Sequence, residues 1–165
     1  MRFLFILLTS CLVNAQSLDL STLRVAYKDA AHDSTKVESF FQSVSLVSKQ
    51  DKVALVAYKG AAIALKARMA KSIKAKKEGF IEGVSLIEHA IEKEPNAIEP
   101  RFIRLGIQEN SPKILGYNKD IATDKAFLLK QFKHIRSANL KNHIKDYILQ
   151  SKVFTDEEKS LISGL

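Results

Sequence analysis

Tryptophan is absent from this 165-residue chain, cysteine occurs once, and only three prolines and six glycines interrupt it. A lone cysteine excludes a disulfide within the chain, so stability must come from an ordinary packed core. The scarcity of proline and glycine removes the punctuation that sheets and long loops need, and favours helix. No apolar run reaches the ~20 residues of a membrane-spanning helix. Also missing are an H-E-x-x-H pair, a G-x-S-x-G elbow and a glycine-rich phosphate loop, the signatures of zinc peptidases, serine hydrolases and nucleotide sites. No catalytic residue, metal or cofactor is therefore expected.

What is present is 46% hydrophobic residues and a net charge of +8. Ala, Leu, Ile and Lys are abundant, which suits helices. The charge draws the protein mildly toward anionic partners without identifying one. The N-terminus joins Met1-Arg2 to the apolar run Phe3 to Leu8 and the small-residue ending Val13-Asn14-Ala15. This has the three parts of a secretory signal, with cleavage expected after Ala15. Leu8-Thr9-Ser10-Cys11 also resembles the lipobox of bacterial lipoproteins, so the alternatives are a soluble exported protein, periplasmic or secreted, and one lipid-anchored through Cys11. Residues 16–165 read as a single all-helical domain.

Along that body, apolar spacing of three and four predicts a helix over Leu18–Ala31. A second is expected with Ser34 as N-cap and Val37, Phe40, Phe41, Val44 and Val47 on its inner face. Asp51 would cap a long third helix reaching Lys74, and a fourth would run from about Lys77 to Lys93. A fifth begins near Glu99-Pro100 and ends before Asn110-Ser111-Pro112. Ser111 would cap a short turn closed by Gly116. A sixth covers Asp120 to Ile135 and a seventh, capped by Ser137, covers Ala138 to Gln150. Thr155-Asp156-Glu157-Glu158 announces the last through a capping box. The short links imply antiparallel hairpins stacked side by side.

Gly83, Ile87, Ala90 and Pro95 match the small, bulky, small and proline positions of a tetratricopeptide-repeat second helix, and Asn96 follows the proline. Phe102, Leu105 and Gly106 resemble the aromatic–leucine–glycine opening of the next repeat. The middle of the chain, about 53–132, thus resembles a degenerate tetratricopeptide hairpin and a half, although Gly60 to Gly83 is about eleven residues longer than the repeat allows. The resemblance implies an all-α fold of stacked antiparallel hairpins, a short α-solenoid or bundle, that binds protein.

Two surface candidates emerge. Arg101, Arg104 and Gln108 fall within about 60° of one another on the fifth helix, and Tyr117 borders the same region. Arginine's planar fork suits an anionic ligand or peptide carboxylate; the alternative is an internal ion pair with a neighbouring acid. The second candidate lies in a stretch without acidic residues between Asp51 and Glu78. There Lys59, Lys66 and Lys77 align, Lys74 lies nearby, and Arg68 and Lys71 point elsewhere. Contact with anionic lipid, polysaccharide or an acidic protein stands against a merely solvated face. Nucleic acid is not expected, since no aromatics interleave the lysines to stack bases. His89, beside Glu88 and Glu92, offers at most one nitrogen and one carboxylate.

The expected function is a non-enzymatic accessory protein of the cell envelope that binds a peptide or protein through a helical groove. Its rivals are a carrier of an amphipathic or anionic small ligand, and an enzyme of unrecognised class.

Overall fold

The computed structural model describes residues 18–165. The expected signal segment 1–15 and Cys11 lie outside the described residues. Every regular element within them is helical. Eight α-helices follow in order: α1 Leu20–His32, α2 Val37–Ser43, α3 Val53–Arg68, α4 Ile73–Lys93, α5 Ile98–Asn110, α6 Ile121–Gln131, α7 Ala138–Gln150 and α8 Asp156–Ser163. Short 3-10 turns occupy Ser34–Lys36, Lys113–Leu115 and Phe132–His134.

Side-chain caps explain several of these boundaries, because an uncapped first turn leaves backbone N–H groups without partners. The Asp19 carboxylate accepts from the Ser21 and Thr22 amides at 3.2 and 3.0 Å. Ser137 caps α7, and Thr155 with Glu158 completes a capping box on α8. Gly116 adopts φ 64°, the left-handed conformation that ends the turn before it.

Three expected caps are corrected. Asp33, not Ser34, accepts from the Thr35 amide, and the chain enters α2 through a 3-10 turn. Val44 and Val47 therefore lie beyond the end of α2, though both are buried. The Asp51 carboxylate accepts from the Ser48 amide and hydroxyl and holds the preceding turn, leaving α3 without a side-chain cap. The Ser111 hydroxyl turns back to the Ile107 carbonyl instead of capping forward.

The expected long helix from Lys52 to Lys74 is also corrected. It breaks after Arg68, and Ser72 caps α4 by accepting from the Ala75 amide at 3.1 Å. Lys74 thus opens α4 with Lys76 and Lys77 instead of closing α3. The break lets α3 and α4 fold back on each other. A Cβ placed on Gly60 would lie 2.5 Å from the Gly83 carbonyl oxygen, and one on Gly83 would lie 2.5 Å from the Gly60 carbonyl oxygen. A Cβ on Gly79 would meet Ala67, so rising numbers on α3 meet falling numbers on α4 and the pair is antiparallel. Only glycine allows backbones this close.

One cluster of buried side chains runs from Leu23 on α1 to Ile162 on α8. Its centre is aromatic, with Tyr27 edge-on to Tyr58 at 5.5 Å and to Phe102 at 6.3 Å. Helix α5 is the internal strut, burying charged as well as apolar side chains.

Candidate binding clefts

The charges of α5 face inward. At its N-terminal end the Glu99 carboxylate accepts from Arg24 on α1 through both Nε (2.7 Å) and Nη2 (2.9 Å), and from the Tyr58 hydroxyl on α3 at 2.8 Å. At its C-terminal end Glu109 accepts from the Tyr147 and Ser151 hydroxyls and from the Lys152 amide at 2.6, 2.9 and 2.7 Å. Between them, Arg104 donates through Nε and Nη2 to Asp124 on α6 at 2.6 and 2.8 Å, and through Nη1 to Glu88 on α4 at 2.8 Å. Asp124 is fully buried, so its charge depends on Arg104 and on Arg101, which donates at 3.0 Å. Burial works against the Arg104 charge, but Asp124, Glu88 and Asp120 together outweigh it and hold the guanidinium above its ordinary pKa.

The groove expected at the first sequence candidate is thereby corrected, and its alternative, an internal ion pair with a neighbouring acid, is what the arginines form. Arg101, Arg104 and Gln108 share a stripe as expected, but the stripe faces α6 and its acids, not an open groove. Arg101 also covers the Phe127 ring at 4.6 Å. Gln108 is buried, its Nε2 reaching Asp120 at 3.4 Å and its Oε1 finding no partner among the described residues. Tyr117 alone reaches a cleft: its hydroxyl donates to Glu88 while its ring packs edge-on to Phe80 at 5.7 Å. Burial, followed by the hydrogen bond to Glu88, pushes the Tyr117 hydroxyl well above the ordinary tyrosine range.

The expected alignment of Lys59, Lys66 and Lys77, with Lys74 nearby, is corrected too. Lys59 donates to the Ser45 and Val47 carbonyls and closes the loop after α2. Lys66 pairs with Glu38 at 3.0 Å and stands over the Phe41 ring at 3.9 Å. These two line a cavity of about 380 Å³ between α2, α3 and α4. Lys74 is solvated, 3.9 Å from Glu78. Only Lys77 borders a larger cleft. The placement follows from the break at Ser72, which takes Lys74 and Lys77 off the face of α3.

That first cleft, about 790 Å³, lies between α3, α4 and the connection from α5 to α6. Leu65, Phe80, Val84, Ile107, Leu115 and Tyr117 line it. Ile73, Ile81 and Ile114 stand at its lips, 87%, 53% and 93% exposed. Arg68, Lys76 and Lys77 edge it, and none of the three forms an ion pair among the described residues. The sequence signal for this cleft was Ile114, an apolar residue inside a turn bounded by Pro112 and Gly116. Spacing alone does not single Ile114 out, and it points Arg68 away from the aligned lysines.

A second cleft of about 540 Å³ lies between α1, α5 and α7. Tyr27, Phe102, His143 and Tyr147 line it, and it shares Leu65, Arg68, Ile107 and Asn110 with the first. Burial lowers the His143 pKa to about 4, with Glu99 pulling the other way. His143 and His89 each bury an Nε2 that finds no partner among the described residues. No three His, Cys, Asp or Glu side chains there gather in a metal-holding arrangement. No helix there is long and apolar enough to cross a membrane.

Comparison with protein-family models, with curated proteins and with solved structures gives no match to this chain.

Proposed function

We propose that this chain is a non-enzymatic interaction protein of the cell envelope that docks an acidic amphipathic segment of a partner protein in the first cleft. The observation that carries the reading is the meeting of an apolar trough with three uncommitted cations, Arg68, Lys76 and Lys77, on its edge. Exposed apolar residues scattered singly are ordinary. Here three isoleucines surround one trough, which is the arrangement that helix-in-groove recognition uses. The partner's apolar face lies on Phe80, Val84 and Leu115, and its acids lie along the basic edge. The envelope address rests on the signal-type N-terminus.

The tetratricopeptide resemblance supports the same reading. Gly60 and Gly83 cross in an antiparallel hairpin, Ile87 and Ala90 are fully buried, and Phe102, Leu105 and Gly106 sit inside α5. Stacked hairpins of that kind form a short solenoid that presents concave surfaces to partners. Function is carried across by analogy, whereas the cleft's chemistry stands without it.

The test is fluorescence anisotropy with a labelled acidic amphipathic helical peptide. The protein should bind it, more weakly as salt rises. A Lys76→Glu, Lys77→Glu double variant should weaken binding by about tenfold or more, since reversed charges repel the same face. Equal affinity in protein and variant would refute the reading. Carriage of an amphipathic small ligand is a second reading, favoured by the size of the first cleft, which falls among ordinary ligand pockets. Uptake of a fluorescent fatty acid that the peptide fails to displace would select it.

A further inference from the structure

The second cleft has a different chemistry from the first. Its inner wall is a set of rings, with Phe102 5.0 Å from His143 and 5.3 Å from Tyr147, both near perpendicular. Gly106 on α5 makes room among them: a Cβ there would lie 3.1 Å from the Tyr27 hydroxyl and 3.9 Å from the Tyr147 ring. Such walls accept another flat ring edge-on or offset. Most of the charges at the cleft are already committed. Lys28 pairs with Asp146 at 2.8 Å, and Glu109 accepts from Tyr147, Ser151 and the Lys152 amide. Glu109, Arg68 and Lys152 form no ion pair among the described residues, but the Glu109 carboxylate is held by those three donors. That leaves the side chains of Arg68 and Lys152, both positive, as the charged lining groups with no hydrogen-bond or ion-pair partner there.

We propose that the second cleft binds an aromatic ring bearing a carboxylate, with the ring against Tyr27, Phe102 and Tyr147 and the carboxylate on Arg68. Arginine's planar fork grips a carboxylate through two parallel hydrogen bonds, and an exposed, unpaired guanidinium is free to do so. Lys152 adds a second positive charge to the lining. A neutral His143 leaves the ring wall without a charge of its own at pH 7. The same chemistry is offered by a free aromatic acid and by the C-terminal aromatic residue of a polypeptide. Arg68 belongs to both clefts, so an occupant here engages the cation that also edges the docking trough.

The probe is phenylacetate, titrated into the isotope-labelled protein and followed by amide NMR. Shifts should centre on Phe102, Gly106 and Tyr147, and 2-phenylethanol, which keeps the ring and lacks the carboxylate, should bind about tenfold more weakly. Arg68→Gln, a change at an exposed side chain, should remove that preference. Ala31→Phe should fill the cleft and abolish the shifts, while Lys76→Glu with Lys77→Glu should leave them intact. A peptide ending in phenylalanine, compared as free acid and as amide, separates the sources. Tighter binding of the acid form than of phenylacetate assigns the polypeptide terminus, and the reverse assigns the free acid. Shifts that lie elsewhere, or equal binding of acid and alcohol, would overturn the proposal. Persistence of phenylacetate binding when the acidic helical peptide fails to bind would sink the docking reading and leave this site standing.

Discussion

The crossing of Gly60 and Gly83 makes a quantitative prediction about what holds α3 against α4. Replacing Gly83 by alanine puts a methyl group 2.5 Å from the Gly60 carbonyl oxygen, 2.7 Å from the Ala64 amide and 3.0 Å from the Ala64 Cβ. None of these atoms is the end of a flexible side chain. Relief therefore comes only from moving one helix away from the other, by about 0.9 Å to reach an ordinary 3.4 Å contact. A gap of that size forfeits roughly a quarter to a half of each contact it opens. Those contacts include Ile87 against Gly60 and Ala67 against Gly79. Overpacking of this kind costs about 1–3 kcal/mol, and the rigidity of the neighbours places Gly83→Ala at the upper end.

Against this stands the helix propensity of alanine, worth about 1 kcal/mol over glycine. The net expectation is destabilisation by about 2 kcal/mol, read from urea melts followed by circular dichroism at 222 nm. The double variant with Gly60→Ala should cost less than the sum of the two singles, because one separation of the helices relieves both clashes. If Gly83→Ala instead stabilises the protein by about 1 kcal/mol, propensity alone is acting. The close crossing would then be absent in solution.

The buried ion pairs make two further predictions. Arg104→Met should destabilise by about 3–5 kcal/mol, since it leaves Arg101 as the one cation on the buried Asp124 charge, whereas Arg104→Met with Asp124→Leu should recover most of that loss. Arg104→Glu should give no cooperative melt at all, and a folded Arg104→Glu protein would mean that Asp124 is not held as described. His143 predicts an acid dependence. Its folded pKa of about 4 lies below its ordinary 6.5, so the unfolded chain binds more protons between those values and stability falls as pH drops through that window. Discounted for partial solvent screening, the loss at pH 5 is about 1–2 kcal/mol. His143→Phe should flatten that part of the pH profile, and an unchanged profile would show that the imidazole is charged when folded.

The helical class and most element boundaries were legible because they depend on local chemistry. Apolar spacing of three and four, Ser137, Thr155 with Glu158, and Gly116 each act within a few residues of the feature they produce. The break between α3 and α4 was misread for a related reason. Nothing from Lys52 to Lys74 stops a helix as proline would, so spacing carries the third helix six residues past Arg68, where it ends, and places the break before Lys77 instead of before Ser72. Ser72 caps a helix that reverses direction only because Gly60 and Gly83 let the two backbones meet, a gain that is tertiary and invisible to spacing. The same error displaced the lysines. A projection that treats 59 to 77 as one helix aligns residues that the turn actually separates. The partner of Arg104 was equally hidden, since Asp124 lies twenty residues away and its burial follows from how α6 docks.

The role of α5 follows from these placements. Its polar side chains make it look like a recognition helix, yet Glu99, Arg101, Arg104 and Glu109 are each held by another element. A charge already neutralised and desolvated has little left to offer a ligand, because binding one would strand its present partner. Among the cations lining the two clefts, those with unspent electrostatic reach are ones that α5 does not hold: Arg68 at the end of α3, Lys76 and Lys77 at the start of α4, and Lys152 beyond α7. Arg68, Lys76 and Lys77 flank the reversal between α3 and α4, beside the apolar flank that α5 contributes through Ile107. On the proposed reading, recognition and support are divided. The inward stripe of α5 fixes how the surrounding helices stand, and the clefts they leave along its C-terminal half take their charge from the link that spacing had concealed.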